Sequence, residues 1–144
     1  MDYKEQIRNM NKALSTINGL YQKWYQNRTI NSYLVQTLNA LYMEPDLTQK
    51  EISENYQMPP QTVNNAIQAM KKEGYIELVQ SEKDRRYKKI VFTEIGSEYA
   101  EETVSPLIEL DKCIIKRMGI TKYKQLISLL NTYGEALEQE LHEK

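Results

Sequence analysis

Apolar residues recur at helical spacing in the first segment of the chain. They form a seam with alternating steps of three and four residues: Ile7, Met10, Leu14, Ile17, Tyr21 and Trp24. This heptad-like period predicts one long helix. The seam fits a helix packed on its own core, and it fits equally well a helix that also packs on a second chain.

Two further helices are predicted before the pattern changes. A second helix over about residues 30–43 carries leucines on one face, and Pro45 ends it because proline disfavours helix in the residue before it. Thr48 and Glu51 have the spacing of a capping box, which predicts the start of a short helix that runs to about residue 56.

A fourth helix and a pair of strands follow. The helix is predicted over about residues 60–73, with prolines in its first turn and Gly74 at its C-terminal stop. The period then changes, and the short apolar runs 75–79 and 89–92 enclose a charged loop. Two such runs predict a β-hairpin with a longer loop than a tight turn.

The rest of the chain is predicted to be helical. Thr93 caps a long helix that reaches about Met118, and Pro106 inside it should kink or divide it. Thr121 can cap a last helix. That helix has an apolar stripe: Leu126, Leu130, Tyr133, Leu137 and Leu141. No linker long enough to separate two domains interrupts the 144 residues, so a single domain, 1–144, is expected.

The helix over 60–73 has one apolar face and one polar face. The apolar face is predicted to pack inward: Val63, Ala66, Ile67 and Met70. The outward residues are amides, a hydroxyl and a lysine: Gln61, Thr62, Asn64, Asn65, Gln68 and Lys71. Asn and Gln can bond bidentately to adenine in the major groove, and acids, which phosphates would repel, are absent until Glu73. An ordinary solvated face usually mixes Glu with Lys, so DNA contact is the favoured interpretation.

The hairpin tip, residues 83–89, carries five basic residues and one acid. A basic loop on a rigid hairpin suits contact with phosphates or insertion into a minor groove. A solvated turn is the alternative for this loop taken alone. Its position directly after the polar-faced helix favours DNA, because a helix-turn-helix followed by a wing has this order.

Several motifs in this region resemble those of the MarR family (multiple antibiotic resistance regulators). The wing signature is Asp84-Arg85-Arg86 followed by an apolar strand and Thr93-Glu94-Ile95-Gly96. The stretches 47–52 and 62–76 resemble the family's helix-turn-helix pattern, and the flanking helices have its length and order. The resemblance covers nearly the whole chain. Asn64 and Asn65 depart from the family's usual residues on this helix.

The resemblance implies a fold and a function. The fold is mainly α-helical with a small β-wing, in which a winged helix-turn-helix lobe (30–93) is flanked by N- and C-terminal dimerisation helices (1–29 and 94–144). The function is sequence-specific binding of a homodimer to a palindromic double-stranded DNA operator, as a ligand-responsive repressor. Arg86 would reach the minor groove with Asp84 holding it, and three further cations would neutralise phosphates: Lys83, Arg85 and Lys88.

Family members often release DNA when a small aromatic or amphipathic effector binds between the dimer helices and the DNA lobes. The residues that would line such a cleft here are aromatic: Tyr21, Trp24, Tyr25, Tyr33 and Tyr42. Aromatic side chains with polar tips suit such a ligand. They also suit a packed dimer interface, which is the preferred interpretation.

Composition narrows the remaining alternatives. Cys113 is the single cysteine, expected to be buried and inert, and His142 is the single histidine, so no metal site or cofactor is expected. No signal peptide or membrane span is recognisable, which predicts a cytoplasmic protein. Without a Gly-rich phosphate loop or a Ser-His-Asp set, an enzyme is not expected. The alternative function is a winged-helix protein-interaction module, or an architectural nucleic-acid binder without an effector.

Overall fold

The computed structural model describes residues 1–28 and 31–143. Contacts divide the chain into two compact units, Met1–Val104 and Ser105–Lys144. The elements in chain order are α1 (Tyr3–Asn27), α2 (Ser32–Met43), α3 (Gln49–Asn55), α4 (Pro60–Lys72), β1 (Ile76–Gln80), β2 (Lys88–Phe92), α5 (Glu94–Met118) and α6 (Ile120–His142). The predicted fold class, mainly α-helical with a two-stranded wing, is confirmed.

The apolar seam of the first segment lies on one continuous helix, α1. Asp2 caps it, because its carboxylate accepts hydrogen bonds from the backbone N–H groups of Lys4 and Glu5. Tyr25, near the C-terminal end, is the buried residue of this helix. Within one chain the seam is exposed to solvent from Ile7 to Ile17, at 60% and 50% for these two residues, whereas Tyr21 and Trp24 are half-buried.

The core of the first unit forms where α2 and α3 pack on α4. The predicted start of α2 at residue 30 lies outside the described residues. The helix begins at Ser32, and the Asn31 side chain caps it by accepting from two backbone N–H groups. Leu38 of α2, Ile52 of α3 and Ile67 of α4 are completely buried. Burial of this kind contributes about 1.5–3 kcal/mol for each large aliphatic side chain.

The three predicted boundary signals of the helix-turn-helix are present. The Thr48 hydroxyl accepts from the Glu51 backbone N–H at 3.1 Å, and the Glu51 carboxylate accepts from the Thr48 N–H at 3.2 Å, which completes a capping box. Pro60 occupies the first position of α4, where a missing N–H costs no helical hydrogen bond. Gly74 follows the end of α4 with a φ of +77°.

The wing is an antiparallel hairpin with a third, very short partner. β1 and β2 pair from Ile76 opposite Phe92 to Gln80 opposite Lys88. The Ile90 N–H also donates to the Leu47 carbonyl at 2.8 Å, and Thr48 forms an isolated bridge with Lys89. This additional pairing was not predicted from the sequence. It ties the start of α3 to the second strand of the wing.

Thr93 joins the end of α4 to the start of α5. Its hydroxyl accepts from the Gly96 N–H at 3.1 Å and donates to the Gly74 carbonyl at 2.7 Å. A Cβ atom on Gly96 would lie 1.7 Å from the Tyr75 carbonyl oxygen, so the close approach of the two backbones requires glycine here. α5 continues through Pro106 to Met118, so the proline does not divide the helix.

Two expectations for the C-terminal helices are wrong. The N-cap of α6 is Gly119, with a φ of +85°, and Thr121 is the second residue of the helix, with no capping role. Cys113 is exposed, since it lies on the outer side of α5 while its neighbours Ile114 and Ile115 are half-buried. The apolar stripe of α6 is also exposed, as for Leu137 at 48%.

Over residues 1–28 and 31–143, no helix is long and apolar enough to cross a bilayer.

Candidate nucleic-acid interface

The helix α4 presents its polar face away from the core, as predicted. Val63, Ile67 and Met70 are buried on the opposite side. Four of the outward residues are exposed: Gln61, Asn65, Gln68 and Lys71. The other two, Thr62 and Asn64, are half-buried. Contact of these side chains with DNA stays a prediction.

Two amides on this face are joined to each other. Gln61 Nε2 donates a hydrogen bond to Asn65 Oδ1 over 2.8 Å, one helical turn apart. The bond uses one donor and one acceptor, which leaves the Gln61 carbonyl oxygen as an acceptor and the Asn65 amide group as a donor. The adenine edge in the major groove needs that combination of acceptor and donor. The bond also restricts both side chains before a ligand arrives, which lowers the entropy lost on binding.

Lys72 is an outward residue that sequence reasoning missed. It follows Gln61, Asn65 and Gln68 at steps of four, three and four residues, so it lies on the same helical face, and it is exposed. Counting 100° per residue beyond Gln68 would have found it. The exposed face of α4 therefore carries no acid from its first residue to its last.

The wing tip is held in shape by its own hydrogen bonds. The Ser81 N–H donates to the Tyr87 carbonyl at 3.2 Å, and the Tyr87 N–H donates to the Asp84 carbonyl at 3.1 Å. The Gln80 side-chain amide donates to the Arg85 carbonyl. A loop with these bonds presents its basic side chains from a defined backbone.

Asp84 binds Arg86 with both carboxylate oxygens. The guanidinium Nε lies 3.0 Å from Oδ1 and Nη2 lies 2.8 Å from Oδ2, and the Arg86 backbone N–H also donates to Oδ1 at 3.1 Å. These hydrogen bonds lower the pKa of Asp84 from 3.8 to about 2, and the same contact raises the pKa of Arg86. The Arg86 side chain is 78% exposed. The pair thus points a fixed guanidinium into solvent.

The other wing cations differ in their surroundings. Lys83, Arg85 and Lys88 are exposed, as a role in phosphate contact requires. Lys89 is half-buried and its Nζ lies 3.9 Å from Asp46, which separates it from the exposed cations. Neither this pair nor the backbone bridge beside it could be read from the order of charges along the loop.

The five aromatic candidates for an effector site do not form one cluster in the described chain. Trp24 packs edge-on against Tyr25, and the Arg28 guanidinium lies 3.9 Å from the centre of the Trp24 ring. Tyr33 and Tyr42 lie at opposite ends of α2, about 13 Å apart along the helix axis. One of the five, Tyr33, lines a groove of about 310 Å³ between α2 and α4, together with Thr62 and Asn65. Tyr21 is half-buried on α1. A role in effector binding stays a prediction for all five.

The described residues contain no group of three or more His, Cys, Asp or Glu side chains placed to hold a metal ion.

Comparison with known proteins identifies relatives of this fold. The MarR family pattern matches residues 35–86. The chain is similar to NMB1585, a MarR family regulator from Neisseria meningitidis, with 27% identity and a TM-score of 0.85 over 96% of this chain and 97% of that chain. S. aureus MepR in a DNA-binding conformation shares the fold at 20% identity, with a TM-score of 0.70 over 95% and 99% of the two chains. Streptococcus pneumoniae FabT in complex with DNA shares it at 23% identity, with a TM-score of 0.64 over 92% and 98%. A search of curated proteins found no match.

The two kinds of similarity agree on the same elements. The family pattern begins in α2 and ends at Arg86 in the wing, so it contains the helix-turn-helix, β1 and most of the wing loop. The match to NMB1585 extends the similarity over almost the entire length of both chains. Residues 35–86 therefore match the MarR family pattern, and the chain as a whole has the fold of a MarR family regulator.

Proposed function

We propose that this chain is a transcriptional regulator that binds double-stranded DNA sequence-specifically as a homodimer, acting as a ligand-responsive repressor at a palindromic operator. The observation that carries the proposal is the acid-free outer face of α4 beside a wing on which Asp84 holds Arg86 outward. The first surface suits base edges in a major groove, and the second suits the adjacent minor groove. The solved complex of FabT with DNA uses the same fold.

Homodimerisation is supported by apolar surface that one chain leaves in water. The seam of α1 and the stripe of α6 are each exposed, as Leu14 at 41% and Leu130 at 47% illustrate. Soluble monomers rarely expose long apolar stripes, because such surface gains about 25 cal/mol per Å² when it is covered. In this proposal residues 1–29 and 94–144 supply the dimer helices, and residues 30–93 form the DNA-binding lobe.

A palindromic operator follows from the proposed dimer. Two identical lobes related by a twofold axis read the same sequence on opposite strands, so the preferred site repeats in inverted orientation. A repressor acts by occupying that site, and an effector relieves repression if it binds the DNA-free arrangement of the lobes more tightly. Since the proposed partner is chromosomal DNA, we place the protein in the cytoplasm.

The effector is proposed to be small and aromatic or amphipathic. The groove beside α4 supports this, because Tyr33 lines it together with Thr62 and Asn65, two of the candidate DNA-contact residues. A molecule held there would contact the polar face of α4 directly. Isothermal titration with a panel of aromatic acids, with and without bound duplex, tests whether any of them binds and releases DNA.

One experiment separates this function from the alternative of a protein-interaction module. The full chain is used to select ligands from a random-sequence duplex pool, and the selected duplexes are sequenced and titrated at several salt concentrations. The proposal expects an inverted repeat whose affinity falls steeply with salt. Failure to bind any duplex at low salt would overturn it. Binding of duplex without sequence preference would instead favour an architectural nucleic-acid binder.

The dimer is tested with a pair of substitutions on α1. Leu14→Glu places a charge in the apolar seam, whereas Ser15→Glu adds the same charge about 100° around the helix, outside the seam. Sedimentation should show monomers for Leu14→Glu and dimers for Ser15→Glu. Operator affinity should fall with the loss of the dimer. A dimer that survives Leu14→Glu unchanged would contradict the proposed role of the seam.

A further inference from the structure

A groove of about 610 Å³ runs between α3 and the wing. Pro60, the first residue of the candidate DNA-contacting helix α4, also lines this groove. The charged and aromatic residues along its walls are Lys50 and Glu54 from α3, and Arg86, Tyr87 and Lys88 from the wing. The channel walls therefore carry three cations and one acid, and the channel reaches from the start of α4 to the wing.

The position of this groove follows from the arrangement of the grooves in duplex DNA. Successive major and minor grooves are separated by a single sugar-phosphate backbone. If α4 enters a major groove and the wing tip enters the neighbouring minor groove, that backbone must cross the space between them. Pro60 at the start of α4 and Arg86 of the wing both line the channel between α3 and the wing, so this channel lies where that backbone would cross.

Tyr87 connects the cations on the two walls of the channel. Lys50 Nζ lies 5.1 Å from the centre of the Tyr87 ring, and Arg86 Cζ lies 5.7 Å from it. Both distances are within the range of a cation–π contact. Lys50 also helps to lower the pKa of Asp84, as expected for an ammonium group close to the wing. The aromatic ring thus places a lysine from the helix-turn-helix beside the arginine of the wing.

The competing partner of Lys50 is weak. Its Nζ lies 3.9 Å from Glu54 one turn along α3, and both side chains are largely exposed. Exposed pairs of this kind contribute little to stability and are screened by salt. A phosphate oxygen in the channel would replace that carboxylate.

We infer that Lys50 contacts a DNA phosphate in the channel between α3 and the wing, and that Tyr87 is a positioning residue for Lys50 and Arg86. This inference rests on the proposed function and adds residues to the interface outside α4 and the wing cations. It also predicts that the contact is independent of base sequence, because phosphates are the same at every step.

The Lys50 contact is tested by the salt dependence of binding to a random-sequence duplex. Log affinity falls with log salt, and each phosphate contact contributes about 0.9 to the magnitude of that slope. Lys50→Gln should therefore make the slope shallower by about 2 for a dimer, which loses two contacts. Its affinity should approach that of the wild type as salt rises. Lys124→Gln, on the side of α6 opposite the apolar stripe, makes the same charge change and should leave the slope unaltered. An unaltered slope for Lys50→Gln would overturn the inference.

The positioning role of Tyr87 is tested by a double-mutant cycle with Lys50. Tyr87→Phe keeps the aromatic ring and should retain wild-type affinity, whereas Tyr87→Leu removes the ring. Tyr87→Leu should weaken duplex affinity, and this loss of affinity should be about two- to fivefold smaller when Lys50 has already been replaced by Gln. The difference corresponds to one exposed cation–π contact. Additive losses would show that Tyr87 has only a structural role and would refute this part. Absence of wild-type binding would count against the proposed function itself, whereas normal wild-type binding with an unaffected Lys50→Gln would count only against the channel.

Discussion

Replacement of Arg86 by alanine is the substitution that most directly tests the DNA interface. In the free protein this side chain is 78% exposed, and within the described part of the wing its guanidinium donates its hydrogen bonds to Asp84. Its removal creates no cavity in the core. The folded state should therefore persist, and any loss of DNA affinity should report on the interface.

The expected loss of operator affinity is about 5- to 150-fold for each lobe, as for a specific base-edge contact. Two effects act in the same direction. The guanidinium donors that would enter the minor groove are lost, and Asp84 is left as an unneutralised carboxylate on a loop that faces phosphates. Both effects weaken binding, and the second should be stronger at low salt.

The assay is fluorescence anisotropy with the selected operator and with a random-sequence duplex of the same length. Arg86→Lys keeps the charge but not the planar fork, so it should restore nonspecific affinity and only part of the specific affinity. Thermal unfolding of each variant verifies that the fold is intact. Operator affinity that is unchanged in a folded Arg86→Ala protein would remove Arg86 from the interface.

Three further predictions concern the scaffold of the interface. Thr48→Ala removes the capping-box hydroxyl and should cost about 1 kcal/mol in urea unfolding, with Thr48→Ser retaining most of the stability; equal midpoints for the alanine variant and the wild type would contradict the capping role. Gly96→Ala forces backbones apart and should cost about 3 kcal/mol or more, whereas Gly19→Ala, which has open space around it, should be neutral or stabilising; similar unfolding midpoints for the two would be inconsistent with the close approach. Because the pKa of Asp84 is about 2 in the folded protein and 3.8 ordinarily, its pair with Arg86 adds stability above pH about 4, which is lost as the pH falls toward 2; carboxyl NMR should find Asp84 ionised at pH 3, and a titration midpoint near 3.8 would disprove the pairing.

Local signals in the sequence predicted the elements of this protein well. The capping box at Thr48, the proline at the start of α4 and the glycine after its end each act through neighbours a few residues away. Such signals can be recognised without knowledge of the tertiary structure. The alternation of buried and polar residues in α4 was predictable for the same reason, because helical geometry alone decides which side chains share a face.

Contacts between distant segments were not predictable in this way. The pairing of Lys89 with Asp46, and the bridge between Thr48 and the wing, depend on how α3 and β2 approach each other. The contact of Lys50 with Tyr87 has the same origin. The exposure of Cys113 was mispredicted because its apolar neighbours were taken as a sign of burial, although its position on the helix places it opposite the buried face.

Asp84 is the single acid of the wing tip, residues 83–89, and simple charge repulsion by phosphates would disfavour it in a DNA-binding loop. Asp84 uses the Nε–H and one Nη2–H of Arg86, and a guanidinium has five N–H donors, so three remain directed away from the carboxylate. Those three are sufficient for the acceptors of an A·T-rich minor groove, N3 of adenine and O2 of thymine. Asp84 can therefore hold the Arg86 guanidinium in place while the guanidinium binds DNA. The side chain is already fixed in the free protein, so less conformational entropy is lost on association. On this argument Asp84→Asn removes a negative charge near the phosphates and still weakens operator binding, the opposite sign from simple charge repulsion.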